Sequence, residues 1–574
     1  MVQIPYFPQK KSLLKKTGIV IAVLCAVPFL SGSGGGDTDG IAVSPAAGGA
    51  FYKNIPRLPI VGDPFILYEQ DEKIFYLYGT TRMNIEQPPA ANFQIYRSKD
   101  MQGWEFAGLA FDRTPAGISA SWMQVPGGNP MDDGSGRFWA PEVFKLCGLY
   151  YMYYTAPDKS GVLQNSVAWA EHPGGPFSVD FTHPLIGETG SGFNGSLPLF
   201  DFTDPDGTRW PGAIDGTVLE DADGELYYYI ARDQHPHLGV NGSNERRSTI
   251  WGRRMRSPYS LADEPWTQLT EVGRSTVEET GPFSQPWERI EGLWNEGPFV
   301  IKHDGKYYLT YSANYFGSRW YNIGYAVSDN PLGPFVKPAQ GAMIMGLDME
   351  PGGPDWDYFL GSGHHMFLTV GTQNYIVYHK LLYEGVPNNR RYAAIDTFGF
   401  RQDGSLYVNG PTLSWQPLPE LVSGYANIAG LGKITAVNNT GQNIGVLTDG
   451  VVGLKPVAAA TDEISFGPGR TEITVDFDSE LTVYAALLYN SCVYGTRLQK
   501  IDSIEFSPSV SVRNILPDAD AVLTNRTNGK AYMPAGSYIG TAVKQPVRTD
   551  KIVFTIDSEN GFNLSELVIL GQAW

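Results

Sequence analysis

Cysteine is scarce in this chain. There are three in 574 residues, at positions 25, 147 and 492. Cys25 lies in an N-terminal apolar run, and the other two fall in different parts of the chain, so neither a disulfide framework nor a CxxC metal site is readable and structural zinc is argued against. Positive charge is also short. Lys and Arg number 42 against 60 Asp and Glu, a formal net charge of −18. That balance argues against a nucleic-acid partner, because a phosphate backbone needs a basic surface. A neutral substrate is compatible with it. Amphipathic helical runs of any length are missing. So are long apolar stretches: residues 18–30 form a run of about 13, enough for a signal h-region and short for a membrane-spanning helix.

What the chain has instead is aromatic residues and glycine: 32 Tyr, 28 Phe, 13 Trp and 66 Gly. This is the composition of an all-β, turn-rich protein. Most of the rings are expected in cores, and some are suited to stacking on sugar faces.

The N-terminus reads as a targeting segment. Lys10, Lys11, Lys15 and Lys16 precede the apolar run, and residues 31–36 form a Gly/Ser linker. The segment is similar to a bacterial lipoprotein signal, except that Ser33 stands where the lipid-bearing Cys would be, so no diacylglycerol can be attached there. Export to the periplasm, the medium or the cell surface is expected, with an uncleaved N-terminal membrane tether as the alternative. Residues 1–45 are assigned to this segment and its linker.

Five short motifs recur roughly 70–80 residues apart: GDPF with Asp63, FWAPE with Trp139, AIDGT with Asp215, NEGPF with Glu296 and GSGHH with His364. Each is followed by a Tyr-rich strand, at 72–81, 148–156, 224–232, 305–314 and 373–380. The turns before three of them read as hairpins: Cys147 with Gly148, Asp223 with Gly224, and Asp304 with Gly305. Third strands follow at 94–100, 166–173, 250–258 and 323–331. Several strands per repeat predict the blades of a five-bladed β-propeller over residues 46–415. The repeats put three carboxylates and a histidine at equivalent places facing one central cavity. Residues 416–424 read as a linker. Short strands separated by Asp, Gly, Ser and Pro over 425–574 predict a β-sandwich.

One carboxylate beside Gly or Pro at the head of a strand is ordinarily a turn cap. Three at matching repeat positions point to chemistry. Hydrolysis of a glycosidic bond needs one carboxyl protonated, to serve the leaving oxygen, and one ionised, to activate water or attack the anomeric carbon. A third can hold the acid's proton on by like-charge repulsion. Trp139 reads either as a ring lining a sugar subsite or as blade packing. Trp294, two residues before Glu296, shares its strand face and is a second candidate substrate-binding ring. Asn314, Tyr315 and Arg391 are weaker candidates for hydroxyl recognition. A histidine at the end of a buried strand, such as His364 or His365, is more often a core residue than a ligand.

The five motifs in order, each with its Tyr-rich strand, resemble glycoside hydrolase family 43 over roughly residues 55–412. Fructan and sucrose hydrolases share an Asp-Asp-Glu set, but they carry an Asn-Asp-Pro-Asn-type first motif and a Cys after the acid. Here Gly62, Phe65 and Gly297 occupy those places. The resemblance implies an inverting glycosidase with Asp63 as general base, Glu296 as general acid and Asp215 as the residue that tunes and positions the acid. Inversion implies base and acid carboxyls roughly 6.5–9.5 Å apart. It also implies His364 as ligand of a mostly hydrated calcium or sodium ion of structural or electrostatic role; no cofactor is needed for the chemistry. The C-terminal part resembles a galactose-binding-like (discoidin-type) domain, on VLTDG (446–450), the strands at 471–477 and 481–490, and LSELVILG (564–571). Its expected role is to bind glycan or to support the propeller.

The implied partner is a plant or algal polysaccharide or oligosaccharide. The implied activity is α-L-arabinofuranosidase or β-D-xylosidase, with residues 181–213 and 233–249 (His235 and His237 among them) shaping the subsites. The alternatives are an exo-β-1,3-galactanase of the same family and a non-catalytic glycan-binding propeller. A protein-binding propeller would have shorter repeats and no acids at blade starts.

Overall fold

The computed structural model describes residues 42–43, 49–54, 59, 61–80, 93–111, 138–157, 163–178, 213–238, 244–346, 360–381 and 391–572, the last stretch without 441–442, 453, 455–461, 509, 519–521 and 525–529; side chains are described outside 42–43, 157, 233–246 and 360. The signal segment with Ser33, residues 181–212 and the side chains of His235 and His237 lie outside the described residues. Among those described, no helix is long and apolar enough to cross a membrane. Residues 39–574 form one compact unit.

Five antiparallel sheets follow one another along the chain. Their first strands are Gly62–Glu69, Trp139–Leu146, Ala213–Glu220, Leu293–His303 and Leu360–Val370. Each first strand packs against the next, and the fifth packs against the first. The sheets are therefore the blades of a closed five-bladed propeller, with the first strands innermost. The Tyr-rich segments form the second strands: Ile74–Thr80, Leu149–Pro157, Leu226–Leu238, Lys306–Ala313 and Gln373–Leu381. Their rings fill the space between blades; Tyr78, Tyr153, Tyr228, Tyr311 and Tyr378 are fully buried.

Two of the three expected hairpin turns have both central residues left-handed, Cys147 with Gly148 and Asp304 with Gly305. This is the two-residue geometry that matches strand twist. At Asp223 and Gly224 only the glycine is left-handed, and the connection runs longer, from Asp221 to Glu225. Blades three and four also differ from plain blades. The third strand of blade three, Asn244–Ser257, pairs in parallel with the start of the next inner strand, Arg247 opposite Leu293 and Ser248 opposite Trp294. The two blades thus form one continuous sheet.

Every inner strand carries the same irregularity. Its register with the second strand slips by one residue, between Gly62 and Phe65, Trp139 and Glu142, Ile214 and Thr217, Glu296 and Phe299, and Gly363 and Met366. The first residue inside each slip is left-handed: Asp63, Ala140, Asp215, Gly297 and His364, with φ from 45° to 59°. This is a β-bulge, which bends the strand and re-aims a side chain. For a non-glycine residue it costs roughly 1–2 kcal/mol. A chain that adopts it four times without glycine has a use for the re-aimed residue. The bulges also correct one expectation. Asp63, Asp215 and His364 are equivalent, but Trp139 and Glu296 stand one residue earlier, level with Gly62, Ile214 and Gly363. Motif spacing cannot register a one-residue offset, and the longer Glu side chain covers it.

After the fifth blade, Gln416–Pro417 pairs with Phe51–Tyr52, and a short helix spans Glu420–Ser423. The C-terminal part is built on a nine-stranded sheet, one strand of which is Ala42–Val43, with a separate two-stranded pair of Leu523–Thr524 and Ala531–Tyr532. Its long strands Gly469–Asn490 and Tyr538–Ser558 pair along nearly their whole length, with slips between Asp476 and Leu481 and between Val483 and Ala485. The half before the slips pairs with Lys433–Val437, and the half after them with Phe562–Gln572. The sheet thus curls around its own core. In the second half the side chains alternate between two cores. Ala486 and Leu488 face the curled interior, whereas Ala485, Leu487 and Tyr489 meet Phe51 and Trp415 from the propeller side. Ala42–Val43, from the segment set aside as N-terminal linker, pairs with the Tyr538–Ser558 strand.

Candidate active site

Asp63, Asp215, Glu296, Trp139, Trp294 and His364 all line one cavity of about 430 Å³ at the end of the inner strands. The bulges aim Asp63, Asp215 and His364 into it. Glu296 enters from the position before a bulge.

Asp63 is the most heavily contacted. Its Oδ1 lies 2.5 Å from Arg391 Nη1, 3.3 Å from His364 Nδ1 and 3.4 Å from His379 Nδ1. Its Oδ2 accepts a hydrogen bond from Thr80 Oγ1. Burial alone would raise its pKa; the Arg391 cation, foremost among its neighbours, outweighs burial and holds it well below the ordinary value. Asp63 is therefore ionised at neutral pH. Gly62 makes the arrangement possible: a Cβ there would lie 2.1 Å from Arg391 Cζ.

Glu296 has two donors. Trp294 Nε1 donates to Oε2 at 2.6 Å, and Tyr321 OH donates to Oε1 at 2.7 Å. Burial raises its pKa, and Asp63 adds to the rise, against those two hydrogen bonds. Asp215 Oδ2 accepts from Gly297 N at 3.0 Å and lies 3.9 Å from His364 Nδ1. Burial raises its pKa well above the ordinary value, helped by the charges of Glu296 and Asp63. The two carboxyls share a raised proton affinity that belongs to the pair. One cavity thus holds an ionised carboxylate and a carboxyl pair that keeps a proton, which is the opposition that glycosidic hydrolysis requires.

The sequence matches glycosyl hydrolases family 43 over residues 57–406. The chain belongs to that family. A "Beta-xylosidase" of Xylanibacter ruminicola is 27% identical over 263 residues, 44% of this chain and 67% of that protein. An "Arabinoxylan arabinofuranohydrolase" of Paenibacillus polymyxa is 23% identical over 365 residues, 60% of this chain and 48% of that one. The chain thus spans two thirds of one relative and about half of the other. A solved "thermostable family-43 glycoside hydrolase" is 30% identical, covering 64% of this chain and 99% of its own, with a TM-score of 0.48.

Within this family-43 chain the weaker sequence candidates divide. Arg391 is the cation on Asp63 and also lies over the Phe316 ring, 4.9 Å from Cζ to centroid. Tyr315 lines the cavity and is half exposed. Asn314 also lines it but is committed to scaffolding. Its Oδ1 accepts from Ile290 N and Glu291 N, and its Nδ2 donates to Trp287 O and Trp320 O. These bonds hold the 287–294 segment that carries Trp294.

His364 has its Nδ1 turned to Asp63 and Asp215. Among the described residues no group of three or more His, Cys, Asp or Glu side chains is set to hold a metal. The protein groups at His364 therefore do not form a cage for a calcium or sodium ion, and water would have to supply most of its ligands. His365 is fully buried, 2.7 Å from Thr310 Oγ1, and burial lowers its pKa to about 3. It is a core residue.

Sequence reasoning missed Thr80, Tyr321 and His379. His379 is fully buried, and burial lowers its pKa to about 3. It is neutral, its Nδ1 accepts from Asp63 N at 3.2 Å, and Tyr321 stacks on it at 5.4 Å. The one sign of Tyr321 is Gly363 in GSGHH, where a Cβ would lie 2.1 Å from the Tyr321 ring.

Proposed function

We propose that this family-43 protein is an exported, inverting glycosidase that removes arabinofuranose or xylose from plant or algal polysaccharide. The observation that carries this reading is the opposed protonation within one cavity: Asp63 held ionised by Arg391, and Glu296 with Asp215 holding a proton. In the reaction proposed, Asp63 takes a proton from a water molecule as its oxygen attacks the anomeric carbon. Glu296 gives its proton to the glycosidic oxygen as that bond breaks. The products are a hemiacetal of inverted configuration and the free alcohol, with Asp63 protonated and Glu296 ionised; solvent restores both. Glu296 and Asp215 hold one proton between them; in the proposed cycle it sits on Glu296, with Asp215 ionised beside it. No step requires a metal.

Trp139 and Trp294 flank the cavity and are suited to stack on a sugar ring. The Trp294 N–H also fixes the Glu296 carboxyl in place. The curled C-terminal sheet, read as a galactose-binding-like domain, supports the propeller through the shared Phe51–Trp415 core.

The test is product analysis on arabinan, arabinoxylan, xylo-oligosaccharides, β-1,3-galactan and the two aryl pentosides, with Glu296→Gln beside wild type. Expected is release of one pentose, with its anomeric configuration inverted by NMR, and a fall in kcat of about 10²–10⁴-fold in the variant. Galactose release would move the reading to exo-β-1,3-galactanase. Binding to a glycan with no release from any substrate would make the protein a non-catalytic glycan-binding propeller.

A further inference from the structure

The five bulges leave five backbone N–H groups pointing from each inner strand toward the preceding blade. A buried N–H needs an acceptor. The residue positioned to supply one is fixed by register. It sits on the second strand, opposite the residue just before the bulge: Thr80 opposite Gly62, Thr155 opposite Trp139, Ala231 opposite Ile214, Ser312 opposite Glu296, and His379 opposite Gly363.

Four of these five side chains accept the bulge N–H of the next blade. Thr80 Oγ1 accepts from Ala140 at 2.8 Å, Thr155 Oγ1 from Asp215 at 3.0 Å, and Ser312 Oγ from His364 at 2.7 Å. His379 Nδ1 accepts from Asp63 at 3.2 Å across the junction of blades five and one. The fifth is Ala231, whose methyl accepts nothing. The N–H it leaves over is that of Gly297, and this group donates to Asp215 Oδ2 at 3.0 Å. Gly297 directly follows Glu296.

We propose that Ala231 is a positioning residue: by lacking the acceptor that the other four blades supply, it leaves the Gly297 amide to Asp215 and ties that carboxylate to the strand that carries Glu296. The inference rests on the roles proposed above for Glu296 and Asp215. It gives the break in a five-fold pattern a purpose. A hydroxyl at 231 would complete the ring of acceptors, and Asp215 would lose the donor that holds its charge beside Glu296.

The test compares Ala231→Ser, which adds an acceptor, with Ala231→Cys, which adds similar bulk but only a weak one. Both are assayed across pH on the substrate that wild type cleaves best. In the Ser variant Asp215 loses its donor and takes up a proton more readily. Its charge then no longer keeps the proton on Glu296, so the alkaline limb of kcat moves to lower pH. At neutral pH kcat falls about 10- to 100-fold with KM little changed, as for a misplaced catalytic group. The Cys variant keeps the wild-type limb. An unshifted limb in the Ser variant, or equal shifts in both, would overturn the proposal, the second because packing would then explain it. Crystal structures of the two variants decide it independently. The expected change in the Ser variant is a Gly297 N–H bonded to the introduced hydroxyl, with Asp215 turned away. A Gly297–Asp215 contact still at 3.0 Å sinks the idea. Should wild type cleave no substrate, the proposed catalytic roles fail, and the crystal structures still report whether residue 231 decides where the Gly297 amide goes.

Discussion

Asp63 is met by a full cation and by two imidazoles, and only Arg391 carries a permanent charge. This makes Arg391 the main control on the proposed base. A protonated Asp63 cannot take a proton from water, so activity is lost as pH falls through its pKa. Arg391→Met removes the charge that holds this pKa down. The acidic limb of kcat/KM is expected to move to higher pH while the alkaline limb, set by Glu296 and Asp215, moves far less. Rate profiles of the two proteins from pH 3 to 9 are the check, and an unmoved acidic limb would assign Arg391 to substrate contact alone.

At the scale of the inner strand, the position before each bulge decides what enters the cavity. In blades two, three and four it holds Trp139, Ile214 and Glu296. In blades one and five it holds Gly62 and Gly363, each leaving room for a side chain from elsewhere. These two glycines predict opposite outcomes. In Gly62→Ala the new methyl meets the flexible end of Arg391, which can yield. Stability should hold while the acidic limb shifts as in Arg391→Met. In Gly363→Ala the methyl meets the fully buried Tyr321 ring, which cannot yield, so overpacking of about 1–3 kcal/mol is expected. Denaturant melts beside pH profiles separate the two. The strands themselves were legible in the sequence, because alternating Tyr, Leu and Ile beside Gly turns have one ready reading. The motifs also led to Asp63, Asp215 and Glu296 in the cavity. The partners of those carboxylates were not legible. Arg391 reaches Asp63 from blade five, and Tyr321 reaches Glu296 from just before the third strand of blade four, in a sequence, RWYNIGY, that reads as ordinary packing. Nor does any periodicity distinguish Glu296 from the bulge residue that follows it.

At the scale of the molecule, the curled C-terminal sheet is bound to the propeller by a shared core. Phe51, Trp415, Leu487, Tyr489 and Tyr538 are buried together, and Arg401 grips Asp462 with two bonds of 2.7 and 2.9 Å. A sequence pattern of short strands predicts a sandwich, but it cannot show that one strand is buried on both faces by two different partners. Calorimetry is expected to give a single unfolding transition for both parts. Trp415→Ala should cost about 3–5 kcal/mol and lower the whole transition. Two resolved transitions in the unaltered protein would mean that the shared core does not couple them.

The ring is closed without a shared strand among the described residues: blade one is built wholly before blade two, and blade five wholly after blade four. Its two halves therefore differ in the length of loop they must close. Glu296, Trp294 and Asp215 belong to one continuous sheet of neighbouring blades, which local contacts can organise early. Asp63 acquires Arg391, His364 and His379 only when the two ends of the propeller meet, the contact with the largest loop to close. Glu296 can be in place while the chain is still an open arc. Asp63 gains the Arg391 cation only when the circle is shut, so the proposed mechanism would turn over only in the closed ring.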